Sequence, residues 1–278
     1  MRRKTGLLAA ALIAISACRA VPKKPTPPPA PPPGATRPTL EKTFGEAYLT
    51  GGDSITILYK DLRIMIDPNE SAILTPGAPE QTDFVLVTRA GATSDIRWSA
   101  LRRDQKIVGP GPAMDAAREG GLPNVKALSN GQRLMLSKSN VPGQPGAFLF
   151  VTAIEARNPA SGELVSGFLL EFDNGRNVFV SSELVDVAVF RQFVYQIRDD
   201  GKEIDLAFLT CGGRRAADRT LRTADEELAG EIGALVQPKL LVLLDAARMD
   251  RSKFQAALES QMFSGQWYVS VPPETIAF

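Results

Sequence analysis

The sequence predicts an α/β fold of the αββα type, in which two mixed β-sheets pack face to face and helices cover their outer surfaces. Short apolar and β-branched runs dominate the first part of the chain, separated by turn signals such as Gly51-Gly52 and Asp61. Segments with helical periodicity lie between the later runs. Because antiparallel strands come first and strand–helix units follow, two packed sheets with external helices would bury every apolar face.

The individual elements follow from the same patterns. The earlier predicted strands are Tyr48–Thr50, Ile55–Lys60, Leu62–Ile66, Phe84–Thr88, Lys106–Val108 and Gln132–Ser137. The later ones are Phe148–Ile154, Val165–Phe172, Asn177–Val180, Asp205–Leu209, Lys239–Leu244 and Trp267–Val271. Helices are predicted over Ala113–Glu119, Val185–Arg198, Ala224–Val236 and Ser252–Met262. The helix at Val185–Arg198 is unusually apolar, which predicts a packed core element, with a partner-binding face as the alternative.

Length and composition indicate one soluble domain behind an N-terminal extension. The chain has 278 residues, of which 44% are hydrophobic and 23% charged, and these fractions are typical of a protein with an ordinary apolar core. Residues 40–278 are therefore predicted to form a single domain. The formal net charge is only +1, and there is no basic stripe of the kind that a nucleic-acid-binding surface requires. Nucleic acid is not an expected partner.

Residues 1–18 combine a basic start, a short apolar run and a cysteine at the end. The basic residues Arg2-Arg3-Lys4 precede the apolar run Leu7–Ile15, which is too short to span a membrane as a helix. The next residues, Ser16-Ala17-Cys18, resemble a lipobox, in which the cysteine is acylated and becomes the first residue after cleavage. The resemblance implies that residues 1–17 are removed and that Cys18 anchors the protein in a membrane. A plain signal peptide with a chance cysteine is the alternative.

Residues 18–39 are predicted to be a proline-rich tether behind the lipid. Proline fixes φ and removes backbone donors, so the sequence VPKKPTPPPAPPPGATRPT can form neither a helix nor a sheet ladder. A polyproline II spacer is expected, with a ligand for a proline-reading domain as the alternative. Arg19, rather than Asp, follows the cysteine. By resemblance to Gram-negative sorting, this implies the outer membrane, with the domain facing the periplasm or the cell surface.

Several segments follow one another in an order that is typical of one enzyme superfamily. They are SITILYKDLRIMIDPNE (Ser54–Glu70), TDFVLVTRAGATS (Thr82–Ser94), GRNVFVSSEL (Gly175–Leu184), IDLAFLTCGG (Ile204–Gly213) and Thr223–Asp245, which ends in PKLLVLLD. Together they resemble the metallo-β-lactamase superfamily, and most closely its lactonase-like branch, which hydrolyses sugar lactones and related esters. The resemblance extends from about Glu46 to Val271 and implies the αββα sandwich.

The chemistry of that superfamily depends on histidine, which this chain lacks entirely. The resemblance implies one or two divalent metals, held by imidazoles and a bridging carboxylate, which lower the pKa of a bound water. The positions of the H-x-H-x-D-H signature fall here on Arg89, Gly91, Thr93 and Ser94. The remaining histidines align with Asn158 and Asp245, and the bridging aspartate aligns with Glu183. Because every nitrogen ligand is absent, the resemblance predicts a vestigial site without a metal or any other cofactor.

Charged residues nevertheless remain around this predicted site. Carboxylates gathered without a metal repel one another, and a fixed guanidinium is a reasonable replacement cation. We therefore predict that Arg89 pairs with Glu183 or Asp245. In one alternative, Arg89 is a surface loop residue and the acids serve turns, as Asp67 would before Pro68. In another, Asp67, Glu183 and Asp245 bind a hard cation such as Mg²⁺ or Ca²⁺ through oxygen alone.

Two functions from different classes remain open. The first is a lipid-anchored pseudoenzyme that acts in binding or scaffolding in the cell envelope, with an envelope protein or a glycan as its partner. The second is an unorthodox hydrolase of lactones or esters, with the same fold and oxygen-only metal ligands. The first is favoured, because a site under the same chemical demand should keep some of its nitrogen ligands.

Overall fold

Two β-sheets form the centre of the protein in a computed structural model that describes residues 45–74, 81–90, 98–138, 146–212 and 223–278. The strands of the first sheet are β1 (Glu46–Gly51), β2 (Ser54–Tyr59), β3 (Leu62–Ile66), β4 (Phe84–Leu86), β5 (Lys106–Gly109), β6 (Val125–Ala127) and β14 (Glu274–Ala277). The strands of the second sheet are β7 (Arg133–Ser137), β8 (Phe148–Arg157), β9 (Leu164–Phe172), β10 (Asn177–Val180), β11 (Leu206–Thr210), β12 (Leu240–Leu244) and β13 (Gln266–Val269).

Both sheets change from antiparallel to parallel pairing partway across. The first has the order β14-β1-β2-β3-β4-β5-β6 and is antiparallel as far as β3, then parallel. The second has the order β13-β12-β11-β10-β9-β8-β7 and is parallel as far as β10, then antiparallel. The two sheets meet near the carboxyl end of β4, where the Ser166 N–H donates to the Thr88 carbonyl at 2.7 Å. We call this meeting point of strand ends the rim.

Helices cover both outer faces. They are α1 (Glu70–Leu74), α2 (Gly111–Glu119), α3 (Val187–Asp199), α4 (Glu226–Val236) and α5 (Arg251–Ser260), together with a 3₁₀ turn at Trp98–Ala100. One apolar core lies between the sheets and includes Ile57, Phe168 and Val242. A second core joins α3, α4 and α5 to the second sheet, and a third joins α2 to the first sheet. This layering confirms the predicted αββα sandwich.

The predicted strands and helices are all present, with ends that differ by a few residues. The sequence reasoning missed the short elements β6, β14, α1 and the 3₁₀ turn. Helix α3 is a core element as expected, because its apolar residues Phe190, Phe193, Val194 and Ile197 are buried. Its first turn is capped by Asp186, whose carboxylate accepts from the N–H groups of Ala188 and Val189.

Some predictions concern residues outside the described ranges. These are the signal at 1–17, the lipidated Cys18, the tether at 18–39, and Gly91, Thr93 and Ser94 of the predicted vestigial site. Among the described residues, no helix combines the length and the hydropathy needed to cross a membrane.

Candidate functional site

The described members of the predicted site lie just beyond the ends of strands. Asp67 follows β3, Arg89 follows β4 after a short extension, and Glu183 follows β10 in the same way. Asn158 directly follows β8, and Asp245 directly follows β12. The ends of strands in a sandwich are where side chains from separate segments can converge, so the fold explains why these distant positions are candidates for one site.

Backbone conformation marks the same positions. Asp67, Ser182 and Asp245 have positive φ angles of 42°, 50° and 52°. Residues other than glycine rarely adopt this conformation, and each instance costs on the order of 1 kcal/mol, so the surrounding structure must hold them in place. The turns that follow β3, β10 and β12 are therefore specific bends that aim the next side chains.

Arg89 is the buried cation of the rim. Its Nη2 atom lies 3.3 Å from Glu183 Oε1 and 3.6 Å from Asp53 Oδ2. The Arg89 side chain is 6% exposed and that of Glu183 only 1%. The backbone of Arg89 forms an antiparallel bridge with Val165 of the second sheet. The predicted pairing of Arg89 is thus confirmed for Glu183, and the alternative of a surface loop residue is wrong.

This arrangement balances charge in a place with little water. Burying one unpaired charge is far more costly than burying a pair, so removal of the guanidinium would take a buried counter-charge from both Glu183 and Asp53. Asp53 lies at the tip of the β1–β2 hairpin and was not identified from the sequence. The Asn69 side chain donates to the Gly51 carbonyl at 2.9 Å and thereby holds this hairpin tip against the segment that follows Asp67.

Asn158 positions the Glu183 backbone. Its Nδ2 group donates to the Glu183 carbonyl at 3.1 Å, while its Oδ1 atom accepts from the N–H groups of Ala160 and Ser161. At 2% exposure the Asn158 side chain is enclosed. An amide both donates and accepts, which allows one side chain to serve two segments. Asn158 therefore fixes the turn that presents Glu183 to Arg89.

Asp67 belongs to a buried hydroxyl network that joins the two sheets. Its Oδ1 atom accepts from the Thr88 N–H at 2.8 Å, and its Oδ2 atom accepts from the Thr88 hydroxyl at 2.5 Å. The Ser182 hydroxyl lies 2.6 Å from the Thr88 hydroxyl. Sequence reasoning did not identify Thr88 as a member of the site. Its position directly before Arg89 in the sequence was the feature that could have identified Thr88.

The carboxyl group of Asp67 has a raised pKa. Burial, followed by the negative charge of Asp53, raises its pKa to about 7. The hydrogen bonds from Thr88 and the charge of Arg89 act in the opposite direction without cancelling this effect. The charge of the rim therefore depends on pH.

Asp245 lies in the neighbourhood of Cys211. The Cys211 N–H donates to the carbonyl of Leu244, the residue before Asp245, at 2.9 Å. Burial raises the pKa of the Cys211 thiol to about 12, and the charges of Glu226, Asp225 and Asp245 contribute to this rise. Such a thiol stays protonated at physiological pH and does not act as a nucleophile.

The donors at the rim do not fit the metal centre that the resemblance implies. Zinc-type hydrolytic sites require several nitrogen, sulfur or carboxylate ligands directed at one point. The chain has no histidine, and among the described residues no group of three or more aspartate, glutamate or cysteine side chains is placed to hold a metal ion. Glu183, at the position of the bridging acid, faces a guanidinium instead.

Several solved structures are similar in fold to this protein, and they include the metallo-β-lactamase fold protein YhfI. One is Igni18, a metallo hydrolase from the archaeon Ignicoccus hospitalis, with a TM-score of 0.59, 19% identity and coverage of 84% of this chain and 98% of that one. Another is YhfI from Bacillus subtilis, with a TM-score of 0.58, 13% identity and coverage of 84% and 99%. A third is CmlA, a diiron β-hydroxylase from Streptomyces venezuelae, with a TM-score of 0.60 and 13% identity.

The comparisons define the fold and nothing finer. The CmlA match covers 85% of this chain and 55% of the other, so this chain spans about half the length of CmlA. No protein-family model matches the sequence, and no curated protein resembles it significantly. The protein thus has a metallo-β-lactamase fold of two mixed sheets between helices. A fold of this kind carries many chemistries, so the function has to be argued from the rim itself.

Proposed function

We propose that this protein is a lipid-anchored bacterial lipoprotein whose metal-free domain binds or scaffolds a partner in the cell envelope. In this proposal the domain is a degenerate relative of the lactonase-like hydrolases and has no hydrolytic activity. The observation that carries the proposal is the buried pair of Arg89 with Glu183. A permanent cation beside the acid that aligns with the bridging ligand repels a divalent metal and balances the charge of the same carboxylate.

Two described nucleophiles near the strand ends, Cys211 and Ser182, are buried. Attack on a carbonyl requires a metal-bound hydroxide or a side chain with an accessible base. The Cys211 thiol has a pKa of about 12, and the Ser182 hydroxyl, 2% exposed, contacts Thr88 and Asp67. These features favour a structural role for the rim network over a catalytic one.

Several buried polar atoms at the strand ends have no hydrogen-bond partner among the described residues. They are Thr50 Oγ1, Asp53 Oδ2, Arg89 Nε and Thr210 Oγ1. Because these atoms are closed to solvent, a hydroxyl-rich ligand such as a glycan would reach them only where the strand ends open to admit it.

The anchor in this proposal is carried by the N-terminus. Acylated Cys18 would hold the protein in the outer membrane, and residues 18–39 would keep the domain at a distance from the bilayer. Mass spectrometry of the N-terminal peptide tests this directly, with Cys18→Ser as the control. A diacylglyceryl mass on Cys18 is expected, and an unmodified cysteine would contradict the anchor.

Elemental analysis of the full chain in detergent tests the metal-free state. The protein is purified without chelator or affinity histidines from medium that contains zinc, manganese, magnesium and calcium. We expect no stoichiometric metal. About one metal ion per chain would instead favour the alternative function, a lactone or ester hydrolase with oxygen-only ligands.

The alternative has one observation in its favour. Asp67 and Glu183 both remain at the rim, and the pKa of Asp67 lies at about 7, as a general base requires. Assays with lactones and aryl esters separate the two functions. Turnover that requires an added divalent cation and disappears in Asp67→Asn would support the hydrolase, whereas no turnover above buffer supports the binding module.

A further inference from the structure

A groove opens between the two sheets at the edge formed by β6 and β7. Within the described part of the chain these are the outermost strands of their sheets. The groove has a volume of about 450 Å³, and its apolar walls include Phe84 and Val108 of the first sheet and Leu134 and Leu136 of the second. The space between the sheets, which is filled with apolar side chains elsewhere, is therefore accessible here.

Two lysines point into this groove. Lys126 pairs with Val108 in the β5–β6 register, and paired residues of adjacent strands share a face of the sheet. Val108 belongs to the core between the sheets, so Lys126 faces the same way. Lys106 lies two residues before Val108 on β5 and shares that face as well. Its Nζ atom lies 5.2 Å from the centroid of the Phe84 ring.

The charges of these two lysines are not compensated by any described residue. Four other lysines of the domain have a carboxylate at short distance: Lys60 at 2.8 Å, Lys138 at 3.1 Å, Lys202 at 2.7 Å and Lys239 at 2.9 Å. Neither Lys106 nor Lys126 has such a partner among the described residues, although both line an apolar groove. The groove thus combines an apolar wall with two unpaired positive charges.

The backbone of β6 is also available for pairing. Asn124 accepts from the Ile107 N–H, and Leu128 donates to the Gly109 carbonyl, so alternate residues of this segment face β5. Because backbone groups alternate along a strand, those of Val125 and Ala127 point away from β5 toward the open edge. An extended segment could form hydrogen bonds with them as an added strand.

We propose that this groove binds an extended acidic segment of a partner protein, which adds a strand to β6. Lys106 and Lys126 are offset by two residues along the strand direction, or roughly 6.6 Å at the usual rise. Carboxylates at positions i and i+2 of an extended peptide have the same spacing and share one face. Apolar residues at the intervening positions would continue the outer face beside Val125. This inference goes beyond the rim chemistry, since no rim residue takes part.

Charge excludes two other occupants. The proline-rich tether of this chain carries Lys23, Lys24 and Arg37 and few backbone donors, so the groove would repel it and could not pair with it. A second copy that paired edge to edge through β6 would bring lysines against lysines. An acidic partner removes both difficulties.

Peptide binding to the full-length protein in detergent tests the proposal. The probe is a fluorescein-labelled heptapeptide that alternates valine and glutamate, and its control has the same composition with the three glutamates contiguous. We expect saturable binding by fluorescence anisotropy, with the control at least about tenfold weaker. No binding at millimolar peptide, or equal binding of the two peptides, would overturn the proposal.

Charge-reversal variants of the two lysines provide a second test of the proposal. Lys106→Glu and Lys126→Glu should each weaken binding about tenfold, while Lys253→Glu, on α5 and away from the groove, should leave it unchanged. The Lys106→Glu, Lys126→Glu double variant should instead bind a peptide that alternates valine and lysine, which shows that the variant is folded. Inward-facing lysines also protect sheet edges from aggregation. Self-association of the double variant with unchanged binding of the acidic peptide would assign that protective role and overturn the proposal.

Discussion

Two buried aspartates, Asp67 and Asp205, experience opposite electrostatic environments. Asp205 precedes β11, and burial acts to raise its pKa, but the Asn177 N–H and the side chains of Lys239 and Arg176 outweigh burial and lower the pKa. Asp67 lies at the rim, where burial and Asp53 raise its pKa to about 7. Asp205 is a saturated acceptor with two cationic partners.

The comparison distinguishes the Asp205 site, where cations balance a buried acid, from the rim, where burial and a neighbouring acid raise the pKa of Asp67. The region around Asp205 has matched charges and a backbone donor, as a site does when its role is to hold strands together. Among the described residues of the rim, the guanidinium of Arg89 faces both Asp53 and Glu183, and a third acid, Asp67, lies nearby. Buried acids with raised pKa values are typical of functional sites.

The largest expected effect comes from removing the rim cation. Arg89→Ala would remove a buried counter-charge from both Glu183 and Asp53 and should lower the free energy of unfolding by about 3 to 5 kcal/mol. Urea denaturation measures this loss. The control is Arg191→Ala, whose exposed pair with Glu231 should contribute less than about 1 kcal/mol. Equal losses of stability in both variants would contradict the role of Arg89 as a buried counter-charge at the rim.

A smaller loss is expected at the saturated site. Asp205→Asn keeps the shape but removes the charge that faces Arg176 and Lys239, and it should cost about 2 to 3 kcal/mol above pH 5. Because the pKa of Asp205 is lowered in the folded state, its contribution is present above the unfolded pKa and disappears as the pH falls through the folded value. The variant and the wild type should therefore approach each other in stability as the pH falls through the lowered pKa of Asp205.

The pH dependence at Asp67 should have the opposite sign. Its pKa is raised in the folded state, so stability is greatest below the unfolded pKa and is lost as the pH rises through about 7. Between pH 5.5 and 8.5 the wild type should lose about 2 kcal/mol at this group. Asp67→Asn should abolish that slope in denaturation curves. An unchanged slope would place the titrating group elsewhere.

The smallest expected effect concerns the hydrogen bond between the Thr88 hydroxyl and Asp67. Thr88→Val removes a hydrogen bond that lowers the pKa of Asp67, so the loss of stability with rising pH should continue to a higher pH than in the wild type. The overall cost should be about 1 to 2 kcal/mol. Thr88→Ser keeps the hydroxyl and serves as the matched control, and its pH profile should overlay that of the wild type.

The layered fold was predictable because strand and helix patterns alternate clearly along the chain. The elements that were missed are short: β6 has three residues with a lysine at its centre, and β14 follows the pair Pro272-Pro273. Their pairing depends on the finished sheets, since local preference is weak in such short runs. Sequence patterns alone could not supply that context.

The rim was only partly predictable. The pairing of Arg89 with Glu183 could be anticipated, because the resemblance places both beside one ancestral site. Asp53 and Thr88 could not, since their contributions depend on where a hairpin tip folds and on which strand ends meet. Asp245 was grouped with the rim by alignment, whereas the structure also places it close enough to Cys211 to influence the thiol.

The backbone contacts at the rim have a further consequence. The Arg89–Val165 bridge and the Ser166–Thr88 hydrogen bond join the two sheets through main-chain atoms only. Main-chain joints do not depend on the identity of the side chains that they carry. Rim side chains can therefore be replaced while these two main-chain contacts continue to join the sheets.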